Sequence, residues 1–135
     1  MISQTAEYAL RTVIHIAQSH GNGEMVSAAD MARQLSIPSN YLSKTLNALS
    51  RAGILTSSRG KHGGFKLARE PHRITLLSVV APFDAIGQGS QCLLGQAVCS
   101  DRNACAAHRR WKAASDGVLS FFRTTTVADL LAGRA

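Results

Sequence analysis

Ser39-Asn-Tyr-Leu-Ser-Lys-Thr-Leu-Asn-Ala-Leu-Ser-Arg51 decides the fold. Leu42, Leu46 and Leu49 recur at steps of four and three, the mark of one apolar helical stripe. At about 100° per residue, Asn40, Lys44, Asn47 and Arg51 fall near the opposite side, and the whole stretch lacks a carboxylate. Ser39 is the expected cap of this helix and Gly53 its stop. Upstream, Ser27-Ala-Ala-Asp30 has the form of another N-cap, with a hydroxyl for an orphan N–H and an acid for the positive helix end. The short helix that follows runs through Leu35 and is broken by Ser36-Ile37-Pro38, since proline cannot continue the backbone ladder. Two short helices across a tight turn predict a helix-turn-helix.

Downstream, Ile54-Leu-Thr-Ser-Ser58 and Phe65-Lys-Leu-Ala-Arg69 flank the glycine-rich basic turn Arg59-Gly-Lys-His-Gly-Gly64. Two β-compatible runs around such a turn predict a hairpin, and in this place a hairpin is a wing, spanning 54–69. Its tip combines Arg59, Lys61 and His62 with glycines, Gly63 among them, that allow close backbone approach to a groove or a phosphate. A nucleotide-binding phosphate loop is the rival reading; neither of the two glycine signatures it would need is present. On the helix, Asn can read adenine and Lys can reach guanine or phosphate. The alternative there is a solvated face, which usually mixes both signs of charge.

The charge balance agrees with a DNA-facing surface. The 135 residues carry 15 Lys and Arg against 8 Asp and Glu, a net +7. From Arg51 to Arg73, six cations face a single acid, Glu70. A focused surplus of this kind favours a polyanion, most simply DNA or RNA, and with a helix-turn-helix beside it the expected partner is double-stranded DNA. The length suits one domain. No apolar run approaches the ~20 residues of a membrane span, so no membrane partner is expected. Glu7 and Arg11 interrupt the first apolar stretch, which does not read as an export signal; the expectation is a cytoplasmic protein whose thiols stay reduced.

Around this centre, residues 3–19 form a first helix with Ala6, Ala9, Leu10, Val13, Ile16 and Ala17 on one face, closed by Gly21-Asn22-Gly23. His15 and His20 receive no function. Thr75 caps a helix carrying Leu76, Val79, Val80 and Phe83, which Pro82 should end near Ala81. A long helix is expected from about Asn103, with Ala107, Trp111, Ala114, Val118 and Phe121 or Phe122 along one stripe. So sustained a stripe near the chain end suggests pairing with a second copy; the alternative is packing on the first helix of the same chain. Thr126-Val-Ala-Asp129 caps a last short helix with Leu130 and Leu131. The fold class is mostly α with a small β-hairpin: a winged helix-turn-helix in 1–86, then a cysteine loop and a long C-terminal dimerisation helix in 87–135, packed as one unit.

All three cysteines lie between these two parts, as Cys92, Cys99 and Cys105, with His108 just beyond. Thiolate and imidazole are the main soft and borderline ligands for transition metals, so four within seventeen residues point to a metal or iron–sulfur centre. Zinc is the rival, although zinc sites usually place two ligands only ~2–4 residues apart. Thiols that bind nothing are a third reading. A pure disulfide framework would leave one cysteine over. Cys105 beside His108 could also suggest a thiol enzyme, but no oxyanion-forming loop or substrate pocket is recognisable, so neither an enzyme nor a small organic substrate is expected.

Thr5-Ala-Glu-Tyr-Ala-Leu-Arg11, Ser39-Asn-Tyr-Leu42, Leu49-Ser-Arg-Ala-Gly-Ile54, the wing from Ser57 to Gly64, and Cys105-Ala-Ala-His108 with Trp111 together resemble the Rrf-type winged-helix regulators, the bacterial family that includes IscR and NsrR. The likeness covers nearly the whole chain. It implies a homodimeric transcription regulator, generally a repressor, whose helix from Ser39 enters the major groove and whose wing with Arg59 reaches the minor groove. Asn40, Tyr41 and Lys44 would face bases or phosphates. It also implies that Cys92, Cys99 and Cys105 hold an iron–sulfur cluster, 2Fe–2S in first place and 4Fe–4S in second, that tunes DNA affinity to redox, nitric oxide or iron–sulfur status. In the IscR-like branch a histidine three residues past the last cysteine completes the ligand set, which maps onto His108. In the NsrR-like branch an acid from the partner's first helix does so; that position is filled here by Tyr8 with Glu7 beside it, so Glu7 is the outside candidate. Two features depart from the pattern: the first cysteine interval is one residue longer than in the IscR type, and the wing tip carries Lys61-His62 in place of smaller residues.

Overall fold

Four of the six α-helices among the described residues open on a side-chain cap, and the computed structural model describes residues 2–87 and 107–133. Helix α1 (Gln4–Ala17) starts at Ser3, whose hydroxyl accepts from the Ala6 N–H. Its face of Ala6, Ala9, Val13, Ile16 and Ala17 is buried at the centre of the core, with Thr12 among them. Helix α2 (Ala28–Leu35) starts at Ser27, which accepts from the Asp30 N–H at 3.1 Å. It ends at Ser36, which takes a left-handed conformation with φ 55°.

Helix α3 (Ser39–Arg51) corrects one expectation. Pro38, not Ser39, is the capping residue, and no side chain caps this end. Proline presets the backbone for helix entry and has no N–H to satisfy, so Ser39 becomes the first helical residue. Leu42, Leu46 and Leu49 are buried as their spacing predicts, and Gly53 takes the left-handed conformation just past the end. Burying each such leucine contributes about 1.5–3 kcal/mol, which locks α3 against α1 and α2.

Strands β1 (Leu55–Ser58) and β2 (Gly64–Leu67) form the antiparallel hairpin, pairing Leu55 with Leu67, Thr56 with Lys66, Ser57 with Phe65 and Ser58 with Gly64. A contact invisible in the sequence holds the other edge of β2. Val26 and Phe65 exchange backbone hydrogen bonds of 2.9 and 2.8 Å, so the inner strand of the wing is paired on both sides.

Helix α4 (Leu76–Val80) is capped by Thr75 and stops at Ala81, one residue before Pro82. Helix α5 (His108–Thr124) begins at His108 after Ala107, later than the expected start near Asn103. Helix α6 (Val127–Ala132) opens with a reciprocal capping box between Thr126 and Asp129. Two backbone hydrogen bonds of 2.9 Å, Leu76 N–H to Thr125 and Val127 N–H to Ile74, fasten the starts of α4 and α6 together. Among the described residues α5 packs on α4, and α6 lies against α1. The expected loop from Gly87 to Cys99 falls, beyond Gly87, outside the described residues, as does Cys105. Among the described residues no helix is long and apolar enough to cross a membrane.

Candidate nucleic-acid interface

From Met31 to Arg69 the sequence holds seven Lys and Arg and not one carboxylate. The fold gathers this stretch into α2, α3 and the wing, with α3 against β1. Ser39, Asn40, Tyr41, Lys44, Asn47 and Arg51 are all exposed on α3, opposite the buried leucines. Arg59, Lys61 and His62 are exposed at the wing tip, and Lys66 on β2. Arg33 pairs with Asp30 at 2.7 Å; among the described residues the other six cations have no acid partner. Unpaired cations on a rigid scaffold are ready to exchange counterions for phosphates at no cost in broken ion pairs.

The glycines of the wing are required by backbone conformation at Gly60, by a close contact at Gly63 and by both at Gly64. Gly60 (φ 107°) and Gly64 (φ 146°) take conformations that other residues rarely adopt. A Cβ on Gly64 would stand 2.5 Å from the Val26 carbonyl oxygen, and one on Gly63 would collide with the Ser58 carbonyl oxygen. Gly63 thus lets the turn close, with its N–H bonded to the Gly60 carbonyl at 3.0 Å. The helix-turn-helix is braced likewise: the Arg11 guanidinium donates to the Leu35 carbonyl at the end of α2, and His20 meets Glu70 at 3.2 Å, tying the end of α1 to the exit of the wing.

Tyr41 stands out on the α3 surface as a large apolar side chain, 49% exposed. Its backbone carbonyl accepts from the buried Thr45 hydroxyl at 2.9 Å. Its ring lies against Tyr8 of α1, with centroids 6.4 Å apart and planes tilted by 57°. The family resemblance put Tyr41 on this face and noted Tyr8 only beside Glu7, not as its ring partner, because a ring contact between two helices leaves no mark in either helix's periodicity.

The second group of candidates lies only partly within the described residues. His108 is the first residue of α5 and is buried, an unusual place for a histidine at a helix start. Glu7 is exposed in the first turn of α1. Along α5, Phe122 is buried in the chain's own core, Trp111 and Val118 are half-buried, and Ala114 and Phe121 are exposed, Phe121 by 50%. The rings of Phe121 and Phe122 meet edge to face at 5.3 Å. Among the described residues no group of three or more His, Cys, Asp or Glu converges on one point. Cys92, Cys99 and Cys105 lie outside them, and the test of a metal centre is therefore the donor set: three thiols and a buried imidazole suit an iron–sulfur cluster or zinc.

The profile of the Rrf2 family, described as an iron-dependent transcriptional regulator, matches residues 2–133. The chain belongs to the Rrf2 family. Among relatives of this Rrf2 protein, one from Aquifex aeolicus described as an HTH-type transcriptional regulator is 32% identical, covering 97% of this chain and 91% of that one. The HTH-type transcriptional regulator IscR of Vibrio campbellii is 26% identical, covering 96% and 76%. The solved structure of CymR, the global cysteine regulator of B. subtilis, superposes with a TM-score of 0.84 at 25% identity, covering 100% of this chain and 98% of that one. T. potens IscR shares the fold with a TM-score of 0.79 at 22% identity, covering 100% and 88%. As a member of the Rrf2 family the protein is a DNA-binding transcriptional regulator and not an enzyme, built on a winged helix.

Proposed function

We propose that this Rrf2 protein is a homodimeric cytoplasmic repressor whose operator affinity is set by an iron–sulfur cluster, 2Fe–2S before 4Fe–4S, held by Cys92, Cys99, Cys105 and His108. One observation carries the reading: α5 begins with a buried ligand-type side chain, His108, and continues into a face that leaves Ala114 and Phe121 exposed. Sensing and assembly would thus share one rigid element. Glu7 of the partner subunit is the alternative fourth ligand. The bound cluster would supply a centre whose presence or oxidation state follows redox conditions, nitric oxide or iron–sulfur supply.

The protein's own residues do the rest. Asn40, Tyr41, Lys44, Asn47 and Arg51 address the major groove, and Arg59, Lys61 and His62 bring the wing to the backbone or minor groove. Trp111, Ala114, Val118 and Phe121 meet their copies across a two-fold axis, with Phe122 supporting them from the core. Because half-site spacing on DNA is fixed, a displacement at the start of α5 that re-aims the two reading helices lowers affinity. Switching a regulator from 1% to 99% occupancy of one state needs roughly 5.5 kcal/mol of differential binding, within the range that metal ligation contributes.

The second reading is a zinc-stabilised or cluster-free winged-helix regulator whose cysteines respond as thiols, since three thiols and an imidazole also make a zinc donor set. Anaerobic purification of the full chain separates the two. The expected preparation is brown, contains iron and acid-labile sulfide, and loses both in Cys99→Ser. A colourless protein with stoichiometric zinc, or with no metal, overturns the cluster reading. On duplexes obtained by in vitro selection with the wild-type protein, Lys44→Ala and Arg59→Ala should each weaken binding; undiminished affinity in both overturns the assigned DNA-facing surface.

A further inference from the structure

We infer that Tyr8 is a positioning residue for DNA recognition: its ring is the shelf that holds Tyr41 at a fixed attitude on the reading helix. The inference rests on the reading of α3 as the helix that faces DNA. Tyr41 is the third residue of α3, in the N-terminal turn of the helix, which is the end that approaches base edges in this architecture. An aromatic side chain 49% exposed at such a position would sample several rotamers if nothing touched it. Here one feature restrains it: the Tyr8 ring meets the Tyr41 ring at 6.4 Å with a 57° tilt, inside the range of favourable tilted aromatic pairs.

Tyr8 is suited to act as the fixed half of this pair. It lies between Ala6 and Ala9, both fully buried on α1, and packs against the core. Tyr41 has no comparable anchor for its side chain. The arrangement leaves the Tyr41 hydroxyl and outer ring edge for a base edge, where an aromatic can touch a thymine methyl while the hydroxyl bonds a neighbouring acceptor. Ordering the ring before DNA arrives removes part of the cost of immobilising it on binding. Tyr8 itself needs no contact with DNA, so its whole effect should pass through Tyr41.

The test uses the full chain and two duplexes of equal length, one obtained by in vitro selection with the wild-type protein and one of random sequence. The readout is the ratio of the two affinities. Tyr41→Ala and Tyr8→Ala should each lower that ratio by about two- to tenfold, the range of one aromatic pair. The double variant should fall no further than Tyr41→Ala, and Tyr8→Phe, which keeps the ring, should restore the wild-type ratio. Tyr8→Leu, which fills the core without the ring, should behave as Tyr8→Ala and guards against a folding defect, with melting curves run on each variant. If Tyr41→Ala leaves the ratio unchanged, the DNA-facing reading of Tyr41 falls and the inference with it. If Tyr41→Ala lowers the ratio while Tyr8→Ala and Tyr8→Leu do not, or if the losses add in the double variant, the positioning role alone is overturned.

Discussion

Helices α3 and α5 carry apolar residues at the same three- and four-residue steps, yet the fold treats them oppositely. On α3, Leu42, Leu46 and Leu49 are between 0% and 1% exposed. On α5 the stripe is buried at Phe122 and open at Ala114 and Phe121. The difference lies in what is available to cover each face. Helix α3 is flanked by α1, α2 and the wing. Helix α5 has 17 residues and packs on α4, which has 5; at 1.5 Å per residue these are roughly 25 and 7 Å long. Among the described residues, α4 is too short to cover its neighbour. Periodicity reports that a helix has an apolar side; it does not report whether that side is satisfied within the chain.

The contrast predicts unequal responses to similar substitutions. Leu46→Ala should be the most damaging, lowering the unfolding free energy by about 2–5 kcal/mol in denaturant titration. A loss under ~1 kcal/mol would mean that α3 is not the closed face described. Gly64→Ala should come next, at about 1–3 kcal/mol, because the position combines a positive φ with the approach of the Val26 carbonyl oxygen; the same melt would reveal a wing docked less firmly than its two-sided pairing implies. On α5 the effect should move from folding to assembly. Phe121→Asp should lower the unfolding free energy of the monomer by no more than about 0.5–1.5 kcal/mol, the worth of its edge contact with Phe122, while weakening self-association at least about tenfold in sedimentation equilibrium, as expected for an aromatic at the centre of the proposed interface. Unchanged association would break the comparison. The smallest effect is a gain: Thr12 is buried, and among the described residues its hydroxyl has no partner, so Thr12→Val should stabilise the fold by up to about 1 kcal/mol, read as a higher melting temperature.

Much of the reading surface was legible because it depends on local chemistry. Ser27, Thr75 and Thr126 announce helix starts through hydroxyls that reach backbone N–H groups three residues on. The acid-free run through α3 and the basic turn of the wing are visible as composition alone. At Pro38 the same logic slipped by one residue, since proline can open a helix without any side-chain cap and Ser39 drew the assignment. The start of α5 left no such mark: Ala107, the residue that precedes the helix, has no capping side chain. Long-range contacts were out of reach. Val26 pairs with Phe65 across 39 residues through backbone atoms that every residue possesses, Arg11 reaches the Leu35 carbonyl, and Tyr8 meets Tyr41 through rings whose spacing in sequence carries no information.

The amino-acid order by itself determined where the side-chain-capped helices begin, which side of each helix is apolar, where positive charge accumulates, and that three thiols and His108 fall close together along the chain. Those properties are set by neighbours within a few residues, so they survive without knowledge of the rest. Tertiary structure decided which apolar sides are covered, which glycines are indispensable, and which aromatic supports the reading helix. Each of these depends on the distance between segments remote in sequence, and only the packed chain sets that distance.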